Sequence, residues 1–221
     1  MSMAVELKDQ RRRSAFRLGV LVSGSGTNLQ SIIDKLHQGP AEIEVAVAIS
    51  DRPDAYGLKR AEQAGIPAAV IKPEEYAGRR EHDLAIAAEL ERRGVKLVVM
   101  AGYMRVMTAA LLERFPLRVI NLHPALLPSF PGAHGIEEAL AYGVRITGVT
   151  VHFVDEGTDT GPVILQEAVD IAYNDTVESL AARIHAVEHR LLPQAIELIA
   201  AGRVSIDENN PRRVIVCSGK P

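Results

Sequence analysis

The chain alternates short β-branched and aliphatic runs with amphipathic helical stretches, and this alternation restricts its fold more than any other feature. Residues 16–22 read as a buried strand. In the next stretch Leu29, Ile32, Ile33 and Leu36 recur at helical spacing over 28–38. Ile43, Val45, Val47 and Ile49 then alternate with period two, predicting a strand over 42–49. A helix over 55–64 ended by Gly65, a short strand over 68–71, and an Ala-rich helix over 79–93 stopped by Gly94 follow. Residues 97–101 read as a strand, 108–115 as a helix closed before Pro116, and 119–123 as a strand. Such alternation predicts an α/β fold: an open twisted, mostly parallel, Rossmann-like sheet with helices on both faces.

The second half breaks the pattern. After a short helix over 135–142, strands are expected over 147–154 and 163–169, joined by a Gly/Asp loop too short to hold a helix. They must therefore pair antiparallel. A long helix over 177–201 contains Pro193, a candidate bend. The tail reads as a loop plus one short strand over 213–217. No repeat, low-complexity tract or linker divides the chain. The expectation is a flexible arm over 1–14 and one domain over 15–221.

Bulk properties exclude several classes. The net charge is -3, aromatics make up 4% of residues and Trp is absent. There is thus no electrostatic or base-stacking case for nucleic acid. A single cysteine, Cys217, excludes an internal disulfide and a Cys-rich zinc site, so no metal is expected. No apolar run reaches the length of a membrane span, and the one following Arg11–Arg13 is too short for a signal peptide. These features together predict a cytoplasmic protein with no membrane partner. Monomer and homodimer both remain open.

Three polar segments interrupt the apolar framework. The first strand runs into Ser23-Gly24-Ser25-Gly26-Thr27-Asn28 and then a helix. Glycines allow a tight turn, and a helix start offers free N–H groups to a phosphate. A dinucleotide fingerprint requires a third glycine where Leu29 stands, so an NAD-type reading is incomplete despite Asp51. A mononucleotide phosphate fits better than a mere capped turn.

The second segment is Asn121-Leu122-His123-Pro124, at the carboxyl end of a strand. Asn121 and His123 share one face, and ligands of open parallel sheets bind beyond that end. Three prolines and Gly132 then hold an extended loop, in which one X-Pro bond is a candidate for cis.

The third segment carries Asp155, Glu156 and Asp159 between glycines. It lacks the EF-hand spacing. A solvated turn is the plain alternative to one carboxylate turning inward onto a histidine. Such a pairing favours imidazolium and supports acid–base chemistry near neutral pH.

Taken together, SGSGTNLQ, SDRPDAYGLKRAEQAGIP, VVMAGYMRVM, INLHPALLPSFPG, GVTVHFVDEGTDTGPVILQ and AVEHRLLPQAI resemble the glycinamide ribonucleotide formyltransferase family, from about residue 17 to 208. The resemblance implies formyl transfer from 10-formyltetrahydrofolate, a co-substrate, to glycinamide ribonucleotide in purine synthesis. It implies Asn121, His123 and Asp159 as catalytic residues, and it alone singles out Asp159. It assigns Gly26, Thr27, Asn28 and Glu188 to the nucleotide. It assigns Arg79, Met104, Arg105, Val106, Met107, Asn121, Val154, Asp155, Glu156, Gly157 and Asp159 to the folate. The nucleotide half is expected at about 15–115 and the folate and catalytic half at about 116–205. Ala125, Thr158 and His185 depart from the familiar pattern, and His185 stays outside the expected site. His152 is expected to pack beside the trio, and His134 is a further candidate for the site.

The implied mechanism has the amine attack the formyl carbon. Asn121 and protonated His123 donate to the oxyanion, and Asp159 orients the histidine. Methionyl-tRNA formyltransferase carries an additional C-terminal domain and formyltetrahydrofolate hydrolase an additional N-terminal one; neither is expected here. The hydrolase and an NAD-dependent or nucleotide-binding Rossmann protein are the alternative readings.

Overall fold

The structure, a computed structural model, describes residues 15–217; the expected arm over 1–14 lies outside them. It begins with β1 (Phe16–Val22), α1 (Thr27–Leu36), β2 (Ile43–Ser50), α2 (Tyr56–Gln63) and β3 (Ala68–Val70). A 3-10 turn (Pro73–Glu75) leads to α3 (Arg79–Arg92), β4 (Leu97–Met100), α4 (Ala109–Leu112), β5 (Val119–His123) and α5 (Gly135–Tyr142). The chain ends with β6 (Ile146–Phe153), β7 (Val163–Asp170), α6 (Val177–Ala200), β8 (Val204–Asp207) and β9 (Asn210–Val216).

The strands form one sheet in the order β3-β2-β1-β4-β5-β6-β7-β9-β8. Pairing is parallel from β3 to β5 and antiparallel for β5/β6 and β6/β7. This is the expected Rossmann-like half extended by antiparallel strands. Among the described residues no helix is long and apolar enough to cross a membrane.

The sheet separates two cores. Leu18, Val20 and Val22 of β1 face Leu29 and Ile32 of α1 and Leu180, Ile184, Leu192 and Ile196 of α6. Leu21, one pleat away, joins Ile86 and Leu90 of α3 and Leu111 of α4 on the other side. Each such side chain fully buried contributes about 1.5–3 kcal/mol. Gly19 lets α3 pack close, since a Cβ there would sit 2.2 Å from Leu90 Cδ2.

Two expectations need correction. The helix expected over 108–115 is regular only over Ala109–Leu112. Past it, the Arg114 N–H donates to Leu111 O at 3.1 Å, tightening the chain into turns before Pro116. The tail carries two strands, not one. β8 pairs antiparallel with β9, and Val204, Ile206 and Val214 pack on the α6 side of the core. Helix α6 runs through Pro193 and starts from a capping box, in which the Ser179 N–H donates to Thr176 Oγ1 and the Thr176 N–H to Ser179 Oγ.

Candidate active site

The carboxyl ends of β1, β4 and β5, neighbours in the sheet, open on one cavity of about 570 Å³. That volume suits a small-molecule site. Its wall includes Gly26, Thr27, Asn28, Met104, Arg105, Val106, Met107, Asn121, His123, Val154, Gly157, Asp159 and Glu188. Arg79, Asp155 and Glu156 of the expected set are not part of that wall. The Arg79 guanidinium instead donates to the Val106 carbonyl at 2.8 Å. Asp155 Oδ1 accepts from the Gly157 N–H and the Thr160 hydroxyl, closing its own loop.

Strand β5 pairs with β6 so that Asn121 lies opposite His152 and His123 opposite Thr150. The β6–β7 loop then returns Asp159 over the end of β5. Asp159 has φ 54, a left-handed conformation that Asp tolerates better than most residues. Its Oδ1 accepts from Asn121 Nδ2 at 3.2 Å and lies 3.6 Å from His152 Nε2. Its Oδ2 accepts from the Gly132 N–H at 2.8 Å and lies 3.3 Å from His123 Nδ1. Burial raises the Asp159 carboxyl pKa. The contact with His152, the Gly132 N–H and the nearby histidine charges outweigh that and hold it below the usual carboxylate range.

His123 is 2% exposed and both ring nitrogens face oxygen. Nε2 lies 2.8 Å from the Phe130 carbonyl, which only accepts, so Nε2 carries a proton. Nδ1 is turned to Asp159. The expected His123–Asp159 pairing is present, and His152 lies beside it, 3.6 Å from the same carboxylate. His134 is exposed at the start of α5 and outside the cavity wall.

The proline-rich loop is anchored by Thr150 and Gln166. The Thr150 hydroxyl donates to Ala125 O at 2.7 Å and accepts from the Leu127 N–H and from Gln166 Nε2. Gln166 also donates to Leu127 O at 2.9 Å. The cis bond is Leu127–Pro128.

At the β1 end, Gly26 precedes α1 with φ 69, and a Cβ there would lie 2.5 Å from the Gly57 Cα. The turn thus depends on glycine both for its conformation and for its contact with the start of α2. Arg60 braces it by donating to the Ser25 carbonyl at 2.8 Å. Asn28 Nδ2 donates to Glu188 Oε2 at 3.1 Å, and His185 Nδ1 lies 2.9 Å from the same oxygen. The bond to Glu188 raises the His185 pKa despite partial burial. His185, left outside the expected site, lines the cavity beside Glu188. Its spacing from Glu188, one helical turn on α6, is the signal that places it there. Among the described residues no group of three or more His, Cys, Asp or Glu is arranged to hold a metal ion.

A sequence profile described as Formyl transferase matches residues 16–196. The chain is 38% identical to the phosphoribosylglycinamide formyltransferase of Bacillus subtilis over 82% of its own length and 93% of that protein. The structure superposes on glycinamide ribonucleotide transformylase 1 from Symbiobacterium toebii with TM-score 0.89 and 50% identity, covering 92% of this chain and 95% of that one. It is also 42% identical to the human trifunctional purine biosynthetic protein adenosine-3, of which it spans 19%. This chain belongs to the formyl transferase family. Within that family, the relatives it matches along nearly their whole length are phosphoribosylglycinamide formyltransferases.

Proposed function

We propose that the chain transfers the formyl group of 10-formyltetrahydrofolate to the amino group of glycinamide ribonucleotide, a step of de novo purine synthesis. One observation carries this reading. A helix-start glycine loop suited to phosphate, after β1, and Asn121, His123 and Asp159, at the end of β5 two strands away, open onto the same cavity. The nearly full-length likeness to phosphoribosylglycinamide formyltransferases supports the choice of acceptor.

In the proposed reaction the amine nitrogen attacks the formyl carbon and a tetrahedral oxyanion forms. The bond from that carbon to the folate nitrogen then breaks, and the amine proton passes to the leaving nitrogen. Asn121 donates to the oxyanion, a contact worth about 2.7–4 kcal/mol in comparable sites. Both His123 nitrogens already face protein acceptors, so donation to the oxyanion requires the ring to exchange one of them for the substrate oxygen. Asp159, kept ionised, takes up the amine proton and returns it to the leaving nitrogen.

Gly26, Thr27 and Asn28 hold the phosphate, and Glu188 binds the ribose or glycinamide side. Met104–Met107, Val154 and Gly157 line the folate side. The division into a nucleotide half (about 15–115) and a folate and catalytic half (about 116–205) belongs to the same proposal, with two crossings. Glu188 of α6 serves the nucleotide, and the 104–107 stretch serves the folate.

The test mixes protein, 10-formyltetrahydrofolate and glycinamide ribonucleotide and follows release of tetrahydrofolate by absorbance. Release only with the nucleotide present is expected. Release without it indicates a hydrolase, and no release in either mixture sinks both readings.

A further inference from the structure

The segment after β4 owes its shape to side chains from outside it. The Met104 N–H donates to Ser23 Oγ at 3.1 Å, and Ser23 in turn donates to Asp51 Oδ1 at 2.7 Å. Arg79 donates to the Val106 carbonyl at 2.8 Å. The Thr108 N–H donates to Asp83 Oδ2 at 2.6 Å. Three main-chain atoms, two residues apart each time, are thus held by Ser23 beyond β1 and by Arg79 and Asp83 of α3. The last two are four apart in sequence and share one helix face. Between these anchors, the N–H groups of Arg105, Val106 and Met107 have no hydrogen-bond partner among the described residues.

Asp83 is 4% exposed, and a carboxylate is costly to bury unless it is hydrogen-bonded. Its other oxygen lies 3.6 Å from Nδ1 of His82, whose Nε2 is fixed by the Ile71 carbonyl at 2.9 Å. The His82 ring is fixed from behind through Nε2 alone, its Nδ1 making no hydrogen bond among the described residues, and the one short bond of Asp83 ends on the loop. A residue needed only for packing would require neither the charge nor that bond.

We propose that Asp83 is a positioning residue for the formyl-donor subsite. By fixing the Thr108 N–H it holds the Met104–Met107 main chain, whose free N–H groups are then set for a flat heterocycle with acceptor atoms along one edge. The inference rests on assigning this segment to the folate side.

The experiment compares Asp83→Ala, Asp83→Asn and Thr108→Pro with the unaltered chain. It measures KM for each substrate separately, kcat, thermal midpoint and amide hydrogen exchange over 104–108. Thr108 has φ -90, about 10° beyond proline's usual range, so the substitution deletes the N–H at a modest backbone cost while leaving the carboxylate in place. In Asp83→Ala, KM for the formyl folate rises about tenfold while that for the nucleotide stays within about twofold, the loss expected when a supporting group is removed. The 104–108 amides exchange faster, and Asp83→Asn, which keeps an acceptor oxygen, recovers most of the affinity. Should Asp83→Ala not fold, Thr108→Pro decides, with the same selective rise in folate KM. A lowered thermal midpoint with both KM values unmoved, or rising together, overturns the proposal. An unaltered chain with no formyl transfer instead overturns the functional reading, and the two failures stay distinct.

Discussion

His123 Nδ1 and Asp159 Oδ2 lie 3.3 Å apart, while the other nitrogen of the same ring faces the Phe130 carbonyl at 2.8 Å. The histidine is held from both sides, and the carboxylate is the more exposed partner toward the cavity. In the proposed reaction this makes Asp159, rather than His123, the group that exchanges a proton with the substrate.

Replacing Asp159 with Asn keeps the side chain's shape and an acceptor for the Gly132 N–H but removes the charge. Turnover should fall by about 10²–10⁴-fold, the usual contribution of a positioned acid or base. Steady-state kcat on the variant, with circular dichroism to establish folding, checks this. Turnover near that of the unaltered chain removes Asp159 from the chemistry.

The same carboxyl links stability to pH. Its folded pKa is lowered, so its contribution is complete above the unfolded value of about 4 and is lost as pH falls toward the folded value. Thermal midpoints of the unaltered chain and of Asp159→Asn should differ by a constant amount from about pH 5 to 7 and converge below about pH 4. A gap that widens on acidification contradicts the assignment.

Gly26→Ala strains the glycine loop after β1 twice, through a positive φ and through a Cβ 2.5 Å from the Gly57 backbone. The conformational part alone costs about 1–2 kcal/mol. The thermal midpoint should drop, and KM for the nucleotide should rise more than KM for the folate. Equal rises would detach this loop from the nucleotide.

His185 has its pKa raised by Glu188, so its stabilisation is complete below the unfolded value of about 6.5 and is lost as pH rises through the folded one. His185→Gln should be slightly less stable at pH 6 and indistinguishable in alkali. The side chain is 51% exposed, which keeps the effect under about 1 kcal/mol. Denaturant midpoints across that range test it, and a penalty that grows with pH has the wrong sign.

Periodicity located the repeating elements because most of their strands and helices bury an apolar face. β8 was not visible, since its signal is only Val204 and Ile206, and its partner lies beyond a turn. Asn121 and His123 were legible from strand parity alone. Asp159 was not: among three acids in one turn, the selection lies in φ 54 at that residue and in Asp155 being consumed by Gly157 and Thr160. The anchoring roles of Ser23, Asp83, Thr150 and Gln166 were not legible, because each acts on main-chain atoms distant in the chain. The Phe130 carbonyl is a backbone acceptor that residue identity cannot announce.

The change from parallel to antiparallel pairing at β5 ties the chemistry to a single ladder. Asn121 meets His152 and His123 meets Thr150 in one register, and Thr150 in turn anchors the loop that supplies the Phe130 carbonyl. A one-residue slip of either strand against the other would turn that strand's two side chains to the opposite face and part both pairs at once. An insertion in the β6–β7 turn would displace Asp159 from its contacts with Asn121, His123 and Gly132, whereas a single deletion inside β5 or β6 would part Asn121 from His152 and His123 from Thr150 together.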